Sequence, residues 1–150
     1  MAAVFADDET EVGRVVRRGV ATSQTATRAK GGTVNLSSTA REWLAAARIA
    51  VLVSGRTANG AELFARFLHK QRQATVVGEP TAGLSFVSEV FSLRPDALVL
   101  MPVAELRSAQ DFSWVDAGLI PNSRVDGVVR GDWGDDGDAV LRRAIAVLSE

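Results

Sequence analysis

The chain has 150 residues, 47% of them apolar and 23% charged, with a formal net charge of −1. That is long enough for one domain with its own core, and the charge gives no global attraction to nucleic acid or to an anionic membrane. Cysteine is absent and His69 is the single histidine, which excludes disulfides, thiolate chemistry and Cys- or His-rich metal sites, so no metal or other cofactor is expected.

No apolar run approaches the roughly 18 residues that a membrane span needs. The N-terminus, Met1 to Phe5 followed by Asp7, Asp8 and Glu9, lacks the basic-then-apolar layout of a signal peptide. As written, the sequence leads to the expectation of a soluble, cytoplasmic, single-domain protein. Within it, residues 1–32 read as a partly loose N-terminal segment and 49–150 as the core.

In chain order, the stretch to about Glu11 is small and acidic. Val15, Val16 and Val20 lie in a basic segment that suits a strand. Ser23 to Gly32 is rich in Thr, Ser, Ala and Gly and reads as a loop. Thr33-Val34-Asn35-Leu36 reads as a short strand, after which Ser37, Ser38 and Thr39 offer N-caps for a helix over Arg41 to Arg48. Ile49 to Val53 is a continuous apolar run ending at Ser54-Gly55, which suits a strand buried on both faces. Ala61, Phe64 and Leu68 then recur at helical spacing among Glu62, Arg66 and Lys70, giving a helix from about Ala58 to Arg72 with one buried stripe. Ala74-Thr75-Val76-Val77, closed by Gly78, is a second buried strand, so the three elements form a βαβ unit with parallel strands. Leu84 to Leu93 and Ala97 to Met101 flank Arg94-Pro95-Asp96 and form a hairpin. Finally, Asp135, Asp136 and Asp138 precede Leu141, Ala144, Ile145 and Leu148, an apolar stripe behind acids that favour a helix start.

The junction Val53-Ser54-Gly55-Arg56-Thr57-Ala58-Asn59-Gly60-Ala61-Glu62 is the most informative segment. A tight turn from a buried strand into a helix exposes backbone N–H groups that stabilise an oxyanion or bind an anion. Asn59-Gly60 also suits a type I′ hairpin turn, but the helical stripe that follows argues against it. On spacing alone, a functional elbow and a plain connection with Thr57 as N-cap both remain open.

The run Val51-Leu52-Val53-Ser54-Gly55-Arg56-Thr57-Ala58-Asn59-Gly60-Ala61-Glu62 resembles the Leu-Val-Asn-x-x-Ser/Thr-Ala-Ser-Ala-Ser-Glu segment of the carboxyl-terminal (tail-specific) processing peptidases. Val77-Gly78-Glu79-Pro80-Thr81-Ala82-Gly83-Leu84-Ser85 resembles that family's Gly-Glu-x-Thr-x-Gly-Lys-Gly loop, at matching spacing. Asp116 to Asn122 is similar to its Gly-Ile-x-Pro-Asp segment, and Asp138 to Ala144 to its closing helix. The likeness covers Ile49 to the C-terminus. It implies a layered α/β fold related to Clp proteases and crotonases.

By the same resemblance, the family's nucleophilic serine falls on Asn59 and its general-base lysine on Leu84. An amide does not attack a carbonyl as an activated hydroxyl does, and leucine takes no proton. The lysines are Lys30 and Lys70, and Lys70 lies eleven positions beyond Asn59, roughly 16 Å along a helix. The family's Asp-Leu-Arg-x-Asn-x-Gly-Gly strand has no counterpart, and the loss of a strand exposes a sheet edge that invites pairing with a second copy or a partner chain.

The expectation is therefore a peptidase-fold homologue without the serine–lysine dyad, acting as a non-proteolytic peptide-binding or assembly module. Its ligand is a peptide C-terminus or a small apolar molecule, held by Asn59, Gly60, Glu79, Thr81, Gly83, Trp114 and Asp116. An enzyme of another type on the same scaffold (lyase, isomerase, cyclase or hydrolase), or one half of a two-chain peptidase, is the alternative. Ser54, Ser85, Ser88 and Ser113 read as turn or surface serines without a nearby base. Glu62 reads as a first-turn acid favoured by the helix dipole.

Overall fold

The computed structural model describes residue 5 and residues 10–17, 23–28, 37–109, 118–126, 134–135 and 137–150. The elements run β1 (Glu11–Arg17), β2 (Ser23–Arg28), α1 (Ser38–Ala46), β3 (Ala50–Val53), α2 (Gly60–Arg72), β4 (Thr75–Gly78), β5 (Phe86–Arg94), β6 (Ala97–Ser108), β7 (Ser123–Arg124) and α3 (Ala139–Ser149). They build two sheets, one in the order β3-β4-β7 and one in the order β2-β1-β6-β5.

β3, α2 and β4 form the expected βαβ unit. Its strands are parallel, with Ala50 opposite Thr75 and Val53 opposite Gly78. β7 joins the far side of β4, also parallel. Alternation along β4 then sets the layers, because successive side chains of a strand point to opposite faces. Val76 packs with Val53, Ala65 and Leu119 on the α2 side, while Val77 packs with Val140 and Ala144 of α3 on the other. Both valines are fully buried.

α2 also serves the second sheet. Leu63, Phe67 and Leu68 pack against Val12 of β1, with Ala74 and the partly buried Phe5, Ile49, Val51 and Phe64 around them. α2 is thus the layer between the two sheets. Fully burying Phe67 alone is worth on the order of 3 kcal/mol.

The helix ends are tied by arginines that supply donors to orphan carbonyls, the usual need at a helix C-terminus. Arg72 donates to Leu44 O and Ala45 O at the end of α1, and Arg48 to Val147 O and Leu148 O at the end of α3. Ser37 caps α1 through Ala40 N–H at 3.2 Å.

Several sequence expectations need correction. Ser23 to Arg28 is not loop but β2, paired antiparallel with β1 from Glu11↔Arg28 to Arg17↔Ser23. α1 starts at Ser38 rather than Arg41. β3 is not buried on both faces, because it is the sheet's edge and Leu52 is exposed. The buried positions of α2 are Glu62, Leu63, Ala65, Phe67 and Leu68. That arc is broader than the Ala61–Phe64–Leu68 stripe and rotated from it, since the helix has a sheet on each of two sides. In α3, Val140 and Ala144 are buried and Ile145 is exposed. The hairpin forms around Pro95-Asp96, with β6 continuing to Ser108 to pair with β1. The strand expected over 33–36, and Trp114 and Asp116 of the site, lie outside the described residues.

Candidate functional site

β3 ends in a turn built by its own polar groups. Thr57 N–H donates to Ser54 O at 2.8 Å. Ser54 N–H donates to Thr57 Oγ1 at 3.1 Å, and Arg56 N–H to Ser54 Oγ at 3.3 Å. Two residues on, Asn59 takes φ 53° and ψ −125° and caps α2. This region costs a non-glycine residue on the order of 1–3 kcal/mol and persists only where the surroundings impose it.

The surroundings of Asn59 are explicit. Its N–H donates to Leu84 O at 2.7 Å and lies 3.2 Å from Glu62 Oε2. Its carbonyl accepts from Leu63 N–H at 3.1 Å, and its side-chain Oδ1 accepts from Phe86 N–H at 3.2 Å. The structure thereby joins the two residues that the resemblance places at nucleophile and base, but through backbone. The expectation that the Asn59 amide is available at the elbow is corrected, because Leu84 and Glu62 engage it. Ala61 N–H is also engaged, by Ala58 O at 3.2 Å, whereas Gly60 N–H meets no acceptor among the described residues. A Cβ placed on Gly60 would meet nothing within 4 Å.

Beneath the elbow lies Glu62, with no exposed surface. Its Oε1 accepts from the Thr81 hydroxyl and from Gly83 N–H at 2.8 Å. A hydroxyl has one proton to give and lone pairs to accept with. The Thr81 proton goes to the carboxylate, and Thr81 Oγ1 accepts Leu119 N–H at 2.7 Å. Backbone bonds run alongside, from Thr81 N–H to Leu119 O at 3.2 Å and from Ala82 N–H to Thr57 O at 2.9 Å. Glu62 and Thr81 thus clamp three segments: the elbow, the loop after β4, and residues 118–119. Gly118, at φ +68°, makes the last approach feasible, since a Cβ there would lie 2.6 Å from Thr81 O.

The other candidates fall as follows. Thr81 and Gly83 are buried and hold the clamp. Glu79 is half-buried, and its N–H donates to Val53 O at 3.2 Å. Leu84 and Phe86 expose apolar side chains on either side of buried Ser85, whose Oγ has no hydrogen-bond partner. His69 lies near the far end of α2, where its Nδ1 donates to Ala74 O at 2.8 Å, and Lys70 beside it is exposed. Glu62 is a first-turn acid of α2, as expected, and its carboxylate is in addition buried and bonded outside the helix. Its partners lie 19 and 21 residues away, in a loop that no local pattern connects to it. Among the described residues no cluster of three or more His, Asp or Glu is placed to hold a metal ion, and no helix is long and apolar enough to cross a membrane.

Comparison with known proteins places this geometry. The model of Peptidase family S41 matches residues 1–125. A carboxyl-terminal-processing protease from Synechocystis is 31% identical over 78 residues, covering 52% of this chain and 18% of that protein. The chloroplastic carboxyl-terminal-processing peptidase 1 of Arabidopsis thaliana is 30% identical over 81 residues, 54% of this chain and 17% of that protein. The solved photosystem II D1 C-terminal processing protease superposes with a TM-score of 0.60 at 20% identity, over 83% of this chain and 30% of its own. The chain thus spans less than a third of the length of each of these proteins. Its layered α/β architecture is that of the same group of structures, and with the family model matching most of its length the chain belongs to peptidase family S41.

Proposed function

We propose that this chain is a tail-specific peptidase homologue that binds peptide C-termini without serine–lysine proteolysis, as a binding or assembly module. The observation that carries the reading is the elbow itself. Among the described residues Gly60 N–H, at the start of α2, meets no acceptor, and Leu84 and Phe86, whose backbone groups bond to Asn59 next to it, expose apolar side chains. A helix N-terminus favours a carboxylate, and an adjoining apolar surface suits the last side chain of a peptide.

The side chains support binding over cleavage. Asn59 offers an amide in place of a nucleophile, with Oδ1 committed to Phe86 N–H. Leu84 contributes a carbonyl to the elbow and no basic atom. Lys70 is eleven residues along α2 from Asn59, roughly 16 Å away, too far to take a proton there. A closed pocket with Glu79 at its base would favour an enzyme of another type, but Glu79 is only half-buried.

The test is fluorescence polarisation with labelled peptides that end in apolar residues, each made as the free acid and as the C-terminal amide. The expected result is binding of the acids, at least about tenfold weaker binding of the amides, which is about 1.4 kcal/mol, and further loss in Leu84→Asp. A mixed peptide pool incubated with the protein keeps its mass spectrum. Equal affinity for acid and amide overturns carboxylate capture, and cleavage that disappears in Asn59→Ala overturns the non-proteolytic reading.

A further inference from the structure

Asn59 stands in a backbone conformation that turns its side chain onto the next peptide nitrogen. At φ 53° and ψ −125°, with Ala58 O accepting from Ala61 N–H at 3.2 Å, it is the first central residue of a type II′ turn. Glycine is the usual occupant of that position, and an L side chain there is strained. Around the Cα–C bond of an L residue, Cβ sits about −120° from the residue's own nitrogen. A ψ of −125° therefore brings Gly60 N within about 5° of eclipsing Asn59 Cβ.

That torsion must be close to zero in the five-membered ring that joins Gly60 N to Asn59 Cγ. The ring is a succinimide, and the fold sets its backbone torsion before any reaction. Asn59 N–H donates to Leu84 O at 2.7 Å and Leu63 N–H to Asn59 O at 3.1 Å, which fixes the peptide on each side. Holding reactants near their attack geometry removes the search that slows the same step in a flexible chain. The reacting groups are prepared as well. Gly60 N–H meets no acceptor among the described residues, both residues are exposed to water, and glycine carries no side chain to crowd the nitrogen. Phe86 N–H donates at 3.2 Å to Asn59 Oδ1, the oxygen on which negative charge develops during attack at Cγ, as an oxyanion donor does.

We infer that Asn59-Gly60 is a site of self-modification, at which the folded chain converts Asn59 through a succinimide to aspartate and isoaspartate. Hydroxide removes the Gly60 N–H proton, and the nitrogen pair forms a bond to Asn59 Cγ. The tetrahedral intermediate collapses, the Cγ–Nδ2 bond breaks, and Nδ2 takes a proton from water and leaves as ammonia. Water then opens the ring. Breaking the bond from Gly60 N to Cγ gives aspartate. Breaking the bond from Gly60 N to the Asn59 carbonyl carbon gives isoaspartate, with one more carbon in the main chain. The balance is water in and ammonia out. Either product adds a negative charge at the elbow, which on the binding reading above repels a peptide carboxylate; the conversion itself is independent of that reading.

The test ages purified folded protein at mildly alkaline pH beside the same chain unfolded in guanidinium chloride. Peptide mapping by mass spectrometry follows each asparagine, hydroxylamine traps the succinimide, and isoaspartyl methyltransferase labelling counts isoaspartate. Asn59 is expected to convert at least about tenfold faster in the folded chain, a difference of about 1.4 kcal/mol, with a rate that rises in step with hydroxide concentration. Asn35, followed by Leu36, and Asn122, whose Oδ1 accepts from Val76 N–H at 3.0 Å, are the internal references and stay unconverted. Gly60→Ala, where a Cβ meets nothing within 4 Å, is expected to keep its thermal transition and to slow the folded-state conversion by about tenfold or more. A folded rate at or below the unfolded one, conversion of Asn35 or Asn122 as fast as Asn59, or an unchanged rate in Gly60→Ala each overturns the proposal.

Discussion

Replacing Thr81 by valine tests whether the elbow is held from beneath. Valine keeps the shape of threonine and removes only the hydroxyl. Two bonds disappear: the one donated to buried Glu62 and the one accepted from Leu119 N–H. Leu119 is itself buried, so its N–H is left without an acceptor, at about 1–3 kcal/mol. The bond to a charged group is worth about 1.5–3 kcal/mol, at the low end here because Glu62 keeps Gly83 N–H and Asn59 N–H. The sum is about 3 kcal/mol. For a domain of this size that lowers Tm by about 6–12 °C, or the urea midpoint by about 1.5 M at a slope of about 2 kcal/mol/M.

Thr81→Ser keeps both bonds and loses one methyl group, about 1 kcal/mol. The assay is equilibrium urea unfolding followed by circular dichroism, completed by Glu62→Gln and the double variant. Glu62 and Thr81 are in direct contact, so the cycle should show a coupling of about 1 kcal/mol or more. Thr81→Val within about 0.5 kcal/mol of Thr81→Ser, or an additive cycle, would refute the clamp.

Two glycines should respond in opposite directions. At Gly78, φ is +129° and an added Cβ would sit 2.0 Å from Val53 O, so Gly78→Ala should cost more than about 4 kcal/mol and show as loss of the cooperative thermal transition. At Gly60 an added Cβ meets nothing within 4 Å, so Gly60→Ala should stabilise α2 by about 0.5–1 kcal/mol in the same urea titration. Asp138 caps α3, and the N–H groups of Leu141 and Gly134 hold its carboxyl below the usual carboxylate range. A depressed folded pKa means stability that is present at neutral pH and is lost as pH falls below about 4, through the folded pKa. The difference in urea midpoint between wild type and Asp138→Asn should therefore shrink from pH 7 to about pH 3.

What the sequence disclosed follows from which forces are local. Ile49 to Val53, the α2 segment and Ala74 to Val77 announced a βαβ unit because strand and helix periodicities are properties of neighbouring residues. Pro95 announced the hairpin for the same reason. β2 escaped notice because Ser23 to Arg28 lacks apolar residues, apart from Ala26, and is ordered as a strand by pairing with β1. β3 misled because an apolar run does not reveal whether a second strand lies beside it. The face of α2 was misjudged for a related reason. Periodicity counts apolar residues, and the most buried polar residue of the helix, Glu62, is part of its inner arc. The elbow was legible as a place. Its construction was not, since the contacts from Glu62 to Thr81 and from Thr81 to Leu119 cross 19 and 38 residues of chain.

That construction explains how such an elbow persists with Asn59 and Leu84 where the family resemblance puts nucleophile and base. Residue 84 enters through its carbonyl, and any side chain supplies one. Residue 59 enters through its N–H, its carbonyl and its side-chain Oδ1, which accepts from Phe86 N–H. The side chains that fix the shape are Glu62 and Thr81, with Gly78 and Gly118 permitting the close approaches. A substitution at 84 therefore keeps the backbone bond that joins it to the elbow, one at 59 loses the bond to Phe86 N–H, and substitutions at 62 and 81 loosen the clamp itself. Among the described residues Gly60 N–H meets no acceptor, and the clamp of Glu62 and Thr81 lies beneath the turn that presents it.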